Sequence, residues 1–292
     1  MTTEQPIVLL QQRDFGQKIN ASFDFAIKNL GPLAKSIMFI AGPPALLSGI
    51  AQGMYQSRLL TAGIQKNSME SLYQYLTPEY FLVVLLSSVT YFLCYAAVSS
   101  FMVLYEERGL GSKITPGDVW QKIVENISVS VISSVLVLLA ILIGLVFFII
   151  PGIYLAVCFQ LYLMVVIREK SSATDSLSRS RKLVDGKWWS TFGLVMIMSI
   201  IAGIISIVFQ FPVLLATIFT TLGVGNGIAG SPVVLIIASI ISIVGSNFVN
   251  GLVWIAVGFQ YYNLVERRDG SGLRSEIESL GSGEVQRPGE EF

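Results

Sequence analysis

Residues 126–167 read NISVSVISSVLVLLAILIGLVFFIIPGIYLAVCFQLYLMVVI, 42 residues without one charged side chain. As a helix that stretch would extend roughly 63 Å, about twice the ~30 Å of bilayer hydrocarbon. A lone segment satisfies its own backbone in hydrocarbon only as a helix, so the run has to cross twice. Pro151-Gly152 marks the turn, which separates spans at 128–150 and 152–168. The other uncharged runs, 36–57, 80–105 and 190–265, place further spans at about 33–55, 79–105, 190–218 and 232–265. Composition agrees: 53% of the 292 residues are hydrophobic, 13% are charged, and the mean hydropathy is +0.69. A soluble domain keeps roughly a quarter of its residues charged. The expected fold class is therefore all-α, a polytopic transmembrane helical bundle with six spans.

Charge placement gives the orientation. On the six-span reading, the odd-numbered loops hold only Arg58 and Lys66 of the 19 Lys and Arg. The rest lie on the N-terminal arm, the even-numbered loops with their helices, and the C-terminal tail. The positive-inside rule then predicts both termini in the cytoplasm. The opening stretch has only four consecutive apolar residues, Ile7 to Leu10, too few for the apolar core of a signal peptide. The tail, 269–292 (DGSGLRSEIESLGSGEVQRPGEEF), is Gly-, Ser- and Glu-rich with no apolar face, which predicts disorder.

Within the membrane domain, 1–268, three stretches begin alike: 14–18 (DFGQK), 118–122 (DVWQK) and 175–179 (DSLSR). Each pairs an Asp with a base four residues later and leads through an amphipathic segment into a span. Phe15, Ile19, Phe23, Ala26 and Leu30 form the first apolar stripe, Trp120, Ile123, Val124 and Ile127 the second, and Leu177, Val184 and Trp188 the third. Such helices are expected in the headgroup layer, with their bases near lipid phosphate. The even-numbered spans also end alike, in 101–108 (FMVLYEER), 159–170 (FQLYLMVVIREK) and 259–268 (FQYYNLVERR). The unit of interfacial helix plus helical hairpin therefore predicts three pseudo-repeats, 13–108, 116–170 and 173–268. Asp118 after Thr115, and Asp175 after Ser172, also fit helix capping.

Two sets of candidate contacts follow. Lys18, Lys122, Arg179, Arg181, Lys182 and Lys187 are the bases available to a lipid headgroup or a partner. The exit clusters Glu106/Glu107/Arg108, Arg168/Glu169/Lys170 and Glu266/Arg267/Arg268 are anchors that could serve the same end. Inside the spans the polar set is Gln52, Gln160, Gln210, Asn247, Asn250 and Gln260, with Tyr162, Tyr262 and Asn263 near one edge. Hydrocarbon makes such groups costly unless they find partners. Interhelical hydrogen bonds account for most of them. A polar cavity containing Gln160, Tyr162, Gln260, Tyr262 and Asn263 is the sharper alternative.

Several chemistries are excluded. The chain has no histidine, which removes serine–histidine dyads, histidine-ligated metals and phosphohistidine carriers. No acidic or basic residue lies in the middle of a span, as an intramembrane aspartyl protease or an ion-coupled pump would require. Cys94 and Cys158 lie in apolar runs and read as small buried hydrophobes. Residues 225–230 (GNGIAG) satisfy a dinucleotide pattern without a preceding strand, and 49–53 (GIAQG) read as local helix packing. No metal, no cofactor, no nucleic acid and no enzymatic activity is expected.

Residues 175–194 (DSLSRSRKLVDGKWWSTFGL) resemble a motif of the membrane-domain family of glycerophosphoryl diester phosphodiesterases and its stand-alone bacterial relatives. Residues 13–25 (RDFGQKINASFDF) are similar to the N-terminal arm of stand-alone members of Bacteroidetes type. In that family the hydrolase chemistry resides in a separate soluble barrel with His and acidic metal ligands, so no catalytic residue carries over. The resemblance implies a bacterial inner-membrane protein of the non-catalytic, membrane-domain kind. The functional expectation is a scaffold or regulatory partner at the cytoplasmic face, contacting membrane lipids and another membrane or cytoplasmic protein. The alternative is lipid or amphiphile binding or transport through a cavity between the repeats.

Overall fold

A computed structural model describes residues 7–61, 74–109, 113–222 and 231–270. The expectations for Lys66, for the 225–230 turn and for the tail beyond 270 lie outside the described residues. The described chain is helical and contains no strand. In order it forms α1 (Phe15–Lys28), α2 (Leu30–Thr61), a 3-10 turn (Gln74–Leu76), α3 (Pro78–Arg108), α4 (Pro116–Phe147), α5 (Ile149–Cys158), α6 (Tyr162–Glu169), α7 (Ala173–Val184), α8 (Trp188–Thr221) and α9 (Pro232–Asp269). Six stretches are long and apolar enough to cross a membrane: Leu30–Leu60, Pro78–Arg108, Pro116–Phe147, Ile149–Glu169, Trp188–Thr220 and Pro232–Asp269. The molecule is a multi-pass integral membrane protein with an all-α bundle.

Local chemistry sets the helix starts. Asp14 caps α1, its carboxylate accepting from Gln17 N at 2.8 Å while Gln17 Oε1 accepts from Asp14 N at 3.0 Å. Thr115 and Asp118 form the same reciprocal box on α4, and Ser172 Oγ accepts from Asp175 N on α7. Each satisfies backbone donors that the first helical turn leaves open. The capping expectation holds at both predicted positions.

Two span boundaries differ from the sequence reading. The turn between the third and fourth spans falls at Phe148 (φ −158°, ψ 139°), three residues before Pro151. Pro151 sits in the first turn of α5, where a missing N–H costs nothing. Gly152 lies against Gly144, and a Cβ there would meet Leu145 Cγ at 2.5 Å. The Pro-Gly pair thus makes the hairpin tight without being its turn.

The fourth span is also broken. Helix α5 stops at Cys158, and α6 begins at Tyr162. Neither proline nor glycine lies at 159–161, so the break is held from outside. Ser180 Oγ on α7 donates to Cys158 O at 2.8 Å and accepts from Leu161 N at 3.3 Å. Tyr95 Oη on α3 donates to Gln160 O at 2.7 Å. Irregular backbone at this depth survives only where protein groups replace the missing helical bonds.

Helix α9 is the spine, packed against α8, α2, α3 and α1. Gly49 and Gly53 bring α2 onto it: a Cβ on Gly53 would lie 2.4 Å from Ile236 Cα, and one on Gly49 would lie 2.6 Å from Ile240 Cα. The expected local packing role of 49–53 is what the structure has. The core is concentrated at one end of the bundle, in the buried stretches of α3 from Cys94 to Leu104, α6 from Leu163 to Ile167 and α9 from Val253 to Glu266. That end also holds the termini of the described chain and the ion pairs of Glu106, Glu107, Arg108, Glu169 and Asp269, and is called the charged end; the Arg58–Glu79 pair lies at the opposite end. Cys94 and Cys158 are both buried and unpaired there.

The first two amphipathic segments each turn a base inward, Lys18 and Lys122. Helix α1 turns Lys18, Ser22, Phe25 and Ala26 inward, while Phe15 and Leu30 are exposed. Ile19 and Phe23 are partly buried against the cluster formed by Leu194, Met198 and Ala202 of α8 with Val249, Val253 and Ala256 of α9. Its buried face is thus centred on Lys18 and Phe25. In the second stretch Lys122 turns inward, and the segment continues without a break into its span as α4.

Candidate functional site

A cavity of about 760 Å³ lies between α3, α4 and the α5–α6 break. Its longest wall is one face of α3, from Tyr80 through Val84, Ser87, Ser88 and Tyr91 to Tyr95. Those positions recur at helical spacing, and fifteen residues of helix carry the wall about 22 Å along the bundle axis. Helix α4 supplies Ser134, Val137, Leu138 and Ile141, again on one face. Ala156, Phe159 and Gln160 close the cavity at the break, with Tyr162 and with Trp254 of α9, while Gln52 of α2 lines the opposite end.

The end of the cavity nearest the charged end is aromatic and polar. Tyr95 stacks on Trp254 (centroids 4.1 Å apart, planes at 17°), and Tyr91 meets the same indole edge-on at 4.8 Å. Tyr162 Oη lies 2.8 Å from Ser134 Oγ. The side-chain amides of Gln52 and Gln160 line the cavity and make no hydrogen bond among the described residues. Away from that end the walls become Val83, Val84, Val137, Leu138 and Ile141, and the far end carries Tyr80 and Gln52. Among the described residues no lining residue is charged. A hydrophobic slot with a few convergent polar groups is the usual form of a site for an apolar or amphiphilic small molecule.

Of the five residues expected at a cavity, Gln160 and Tyr162 are there, whereas Gln260, Tyr262 and Asn263 are not. Helix α9 directs these three to other helices. Gln260 accepts from Lys18 Nζ at 2.6 Å and donates to Thr191 Oγ1 at 2.8 Å. Tyr262 Oη donates to Glu106 at 2.9 Å. Asn263 Nδ2 donates to Arg13 O at 2.7 Å and ties the N-terminal arm to α9. The sequence reading missed the aromatic wall: Tyr80, Tyr91, Tyr95 and Trp254. The spacing of Tyr80, Ser87, Ser88, Tyr91 and Tyr95 on one helical face was the signal that could have found it.

The expected headgroup bases divide in two. Lys122 is buried and pairs with Glu107 at 2.6 Å. Arg179 bridges Glu169 at 3.1 Å and Asp269. Lys18 is only 3% exposed, bound to Gln260 and to Ser190 Oγ at 3.1 Å, and among the described residues no carboxylate lies within ion-pair reach. Burial, reinforced by the nearby Arg267, pulls its ammonium down to about 8. These three are committed inside the protein, because each side chain points from its helix towards a neighbouring span end. Arg181, Lys182 and Lys187 remain exposed, with no side-chain ion pair among the described residues. Trp189, 78% exposed, stands beside them.

The exit clusters also turn to one another. Arg168 holds Glu106 with two bonds of 2.8 and 2.7 Å, and Tyr261 Oη donates to Glu169 at 2.7 Å. Arg108 pairs with Asp118 at 2.8 Å. The charged end is a lattice of internal pairs, with the Arg181–Lys182–Lys187 patch at its margin.

Among the described residues no group of His, Cys, Asp and Glu side chains could hold a metal ion. None of the curated proteins and none of the solved structures compared with the chain matches it. Residues 9–262 match the model of one family, and the chain belongs to that family, described as Domain of unknown function (DUF7847).

Proposed function

We propose that this integral membrane protein binds a membrane amphiphile in the cavity between α3, α4 and the α5–α6 break. The observation that carries the reading is the cavity itself: about 760 Å³, within the roughly 300–1,000 Å³ of ordinary small-molecule sites. It is elongated along the bundle axis, with Gln160, Tyr162 and the Tyr95–Trp254 stack at one end, Gln52 and Tyr80 at the other, and an aliphatic stretch between them that suits the chain of an amphiphile. Leu138 and Tyr91 are exposed at its margins, so entry from the bilayer is lateral. The order of the two sequence-based readings is thereby reversed. The charges that a scaffold would offer to a partner are largely consumed in internal pairs.

In this reading the protein lies in a bacterial inner membrane with both termini cytoplasmic, supported by the distribution of Lys and Arg and by the resemblance of residues 175–194. Arg181, Lys182, Lys187 and Trp189 then sit at the cytoplasmic headgroup layer as an anchor for anionic lipid. No catalytic step is assigned. Native mass spectrometry of protein released gently from its own membranes tests the proposal. A bound amphiphile at fixed stoichiometry is expected, and it should be lost when Leu138→Trp fills the cavity. Equal retention by wild type and variant, or none by either, would sink the reading.

A further inference from the structure

We infer that the amphiphile in this cavity is uncharged and places an oxygen-bearing head, ester, carbonyl or hydroxyl, at Gln160; the inference rests on the cavity reading above. Three observations support it. First, among the described residues no Asp, Glu, Lys or Arg lines the cavity. An ionised phosphate or ammonium drawn into it would lose its hydration without gaining a counter-charge.

Second, the amide of Gln160 has no partner among the described residues, although it sits in a span with two donors and two acceptor lone pairs to satisfy. Its surroundings hold it in place: Tyr95 fixes the backbone carbonyl of the same residue, and Ser134 fixes Tyr162. An uncharged oxygen head would supply what the amide lacks. The flat Tyr95–Trp254 stack beside it offers a surface to a planar or ester head.

Third, the exposed bases are on the wrong side to serve this cavity. Tyr154 stacks on Trp188 at 6.0 Å, and Ser180 holds Cys158 O, so α7 and the Lys187–Trp189 corner lie on the Tyr154–Cys158 face of α5. Ala156 and Gln160 line the cavity from the opposite face. A headgroup held by Arg181, Lys182 and Lys187 therefore belongs to a different lipid from the one in the cavity.

Titration by native mass spectrometry in detergent tests this with three probes: dioleoylglycerol, decylubiquinone and dioleoylphosphatidylglycerol. One of the two uncharged probes should bind one per chain, at least about tenfold tighter than the anionic lipid. Which of them binds separates an acyl ester from a quinone source. Gln160→Met, which keeps volume and removes the amide, should weaken it about tenfold, the scale of one lost hydrogen bond in a buried site. Gln52→Met, at the other end, should weaken it less. Should Gln160→Met fail to fold, Ser134→Ala is the second variant, with a severalfold loss expected. Tight phosphatidylglycerol binding that Leu138→Trp abolishes would overturn the uncharged assignment while leaving the cavity reading intact. So would a loss confined to Gln52→Met, or no loss from the Gln160 and Ser134 variants. Absence of any probe binding sensitive to Leu138→Trp would overturn the cavity reading itself.

Discussion

Lys18 Nζ lies 2.6 Å from the side-chain oxygen of Gln260, an ammonium 3% exposed and held by neutral groups alone among the described residues. With the folded value lowered to about 8 and the unfolded one near the ordinary 10.5, the unfolded chain binds more protons between those limits. Stability from this group therefore rises as pH increases through that window and is lacking below it. Lys18→Met removes the titration. Its melting temperature relative to wild type should be highest near pH 7 and fall by a few degrees, roughly, by pH 10. A pH-independent difference measured by thermal denaturation in detergent would show that folding does not lower the Lys18 pKa.

The approach of α2 to α9 depends on glycine. A Cβ on Gly53 would meet backbone, Ile236 Cα at 2.4 Å, which cannot rotate away. Gly53→Ala is expected to cost roughly 1–3 kcal/mol through forced helix separation. Gly203→Ala on α8, where nothing lies within 4 Å, should instead be neutral or stabilise by up to about 1 kcal/mol through helix propensity. Denaturant titrations of both variants decide the contrast.

Arg168 and Glu106 join the fourth and second spans through two bonds, with side chains 20% and 23% exposed. Leaving one charge without its partner is the costly state. Arg168→Met should destabilise by roughly 3 kcal/mol, and adding Glu106→Gln should recover part of that loss. A double-mutant cycle with no coupling would show the pair to be energetically idle.

Ser180 is the only described side chain bonded to both sides of the α5–α6 break, through Cys158 O and Leu161 N. Ser180→Ala should cost about 1–3 kcal/mol, the penalty of unsatisfied buried backbone groups. Hydrogen exchange at the Leu161 amide should accelerate in the variant. Unchanged exchange would place the stability of the break elsewhere.

The exposed patch predicts a separable lipid effect. Each base near an anionic surface contributes about 1 kcal/mol. Changing Arg181, Lys182 and Lys187 together to Gln should reduce co-purifying anionic phospholipid without changing occupancy of the cavity. Quantifying both lipids from the same preparation tests that independence.

The six spans were legible because hydrocarbon imposes a length and a polarity on every crossing, and both are properties of contiguous residues. Thr115, Asp118 and Ser172 were legible as caps for the same reason: their partners lie within one turn. Gln160 and Tyr162 could be suspected as polar groups in an apolar run, but so could Gln260, Tyr262 and Asn263. Only the rotation of α9 against α1, α3 and α8 sends the latter three away from the cavity. The break at 159–161 carries no proline or glycine, and it exists because Ser180 and Tyr95 approach from two other helices.

Membrane class, span number and the capped helix starts were thus determined by the sequence itself, since they depend on local composition and spacing. The inward turn of Lys18 and Lys122, the pairing of the exit clusters and the cavity wall from Tyr80 to Tyr95 were decided only by tertiary structure. They depend on which faces of separate helices meet, and side-chain direction across a helix–helix contact is set by packing between residues far apart in the chain, 242 positions at Lys18 and Gln260.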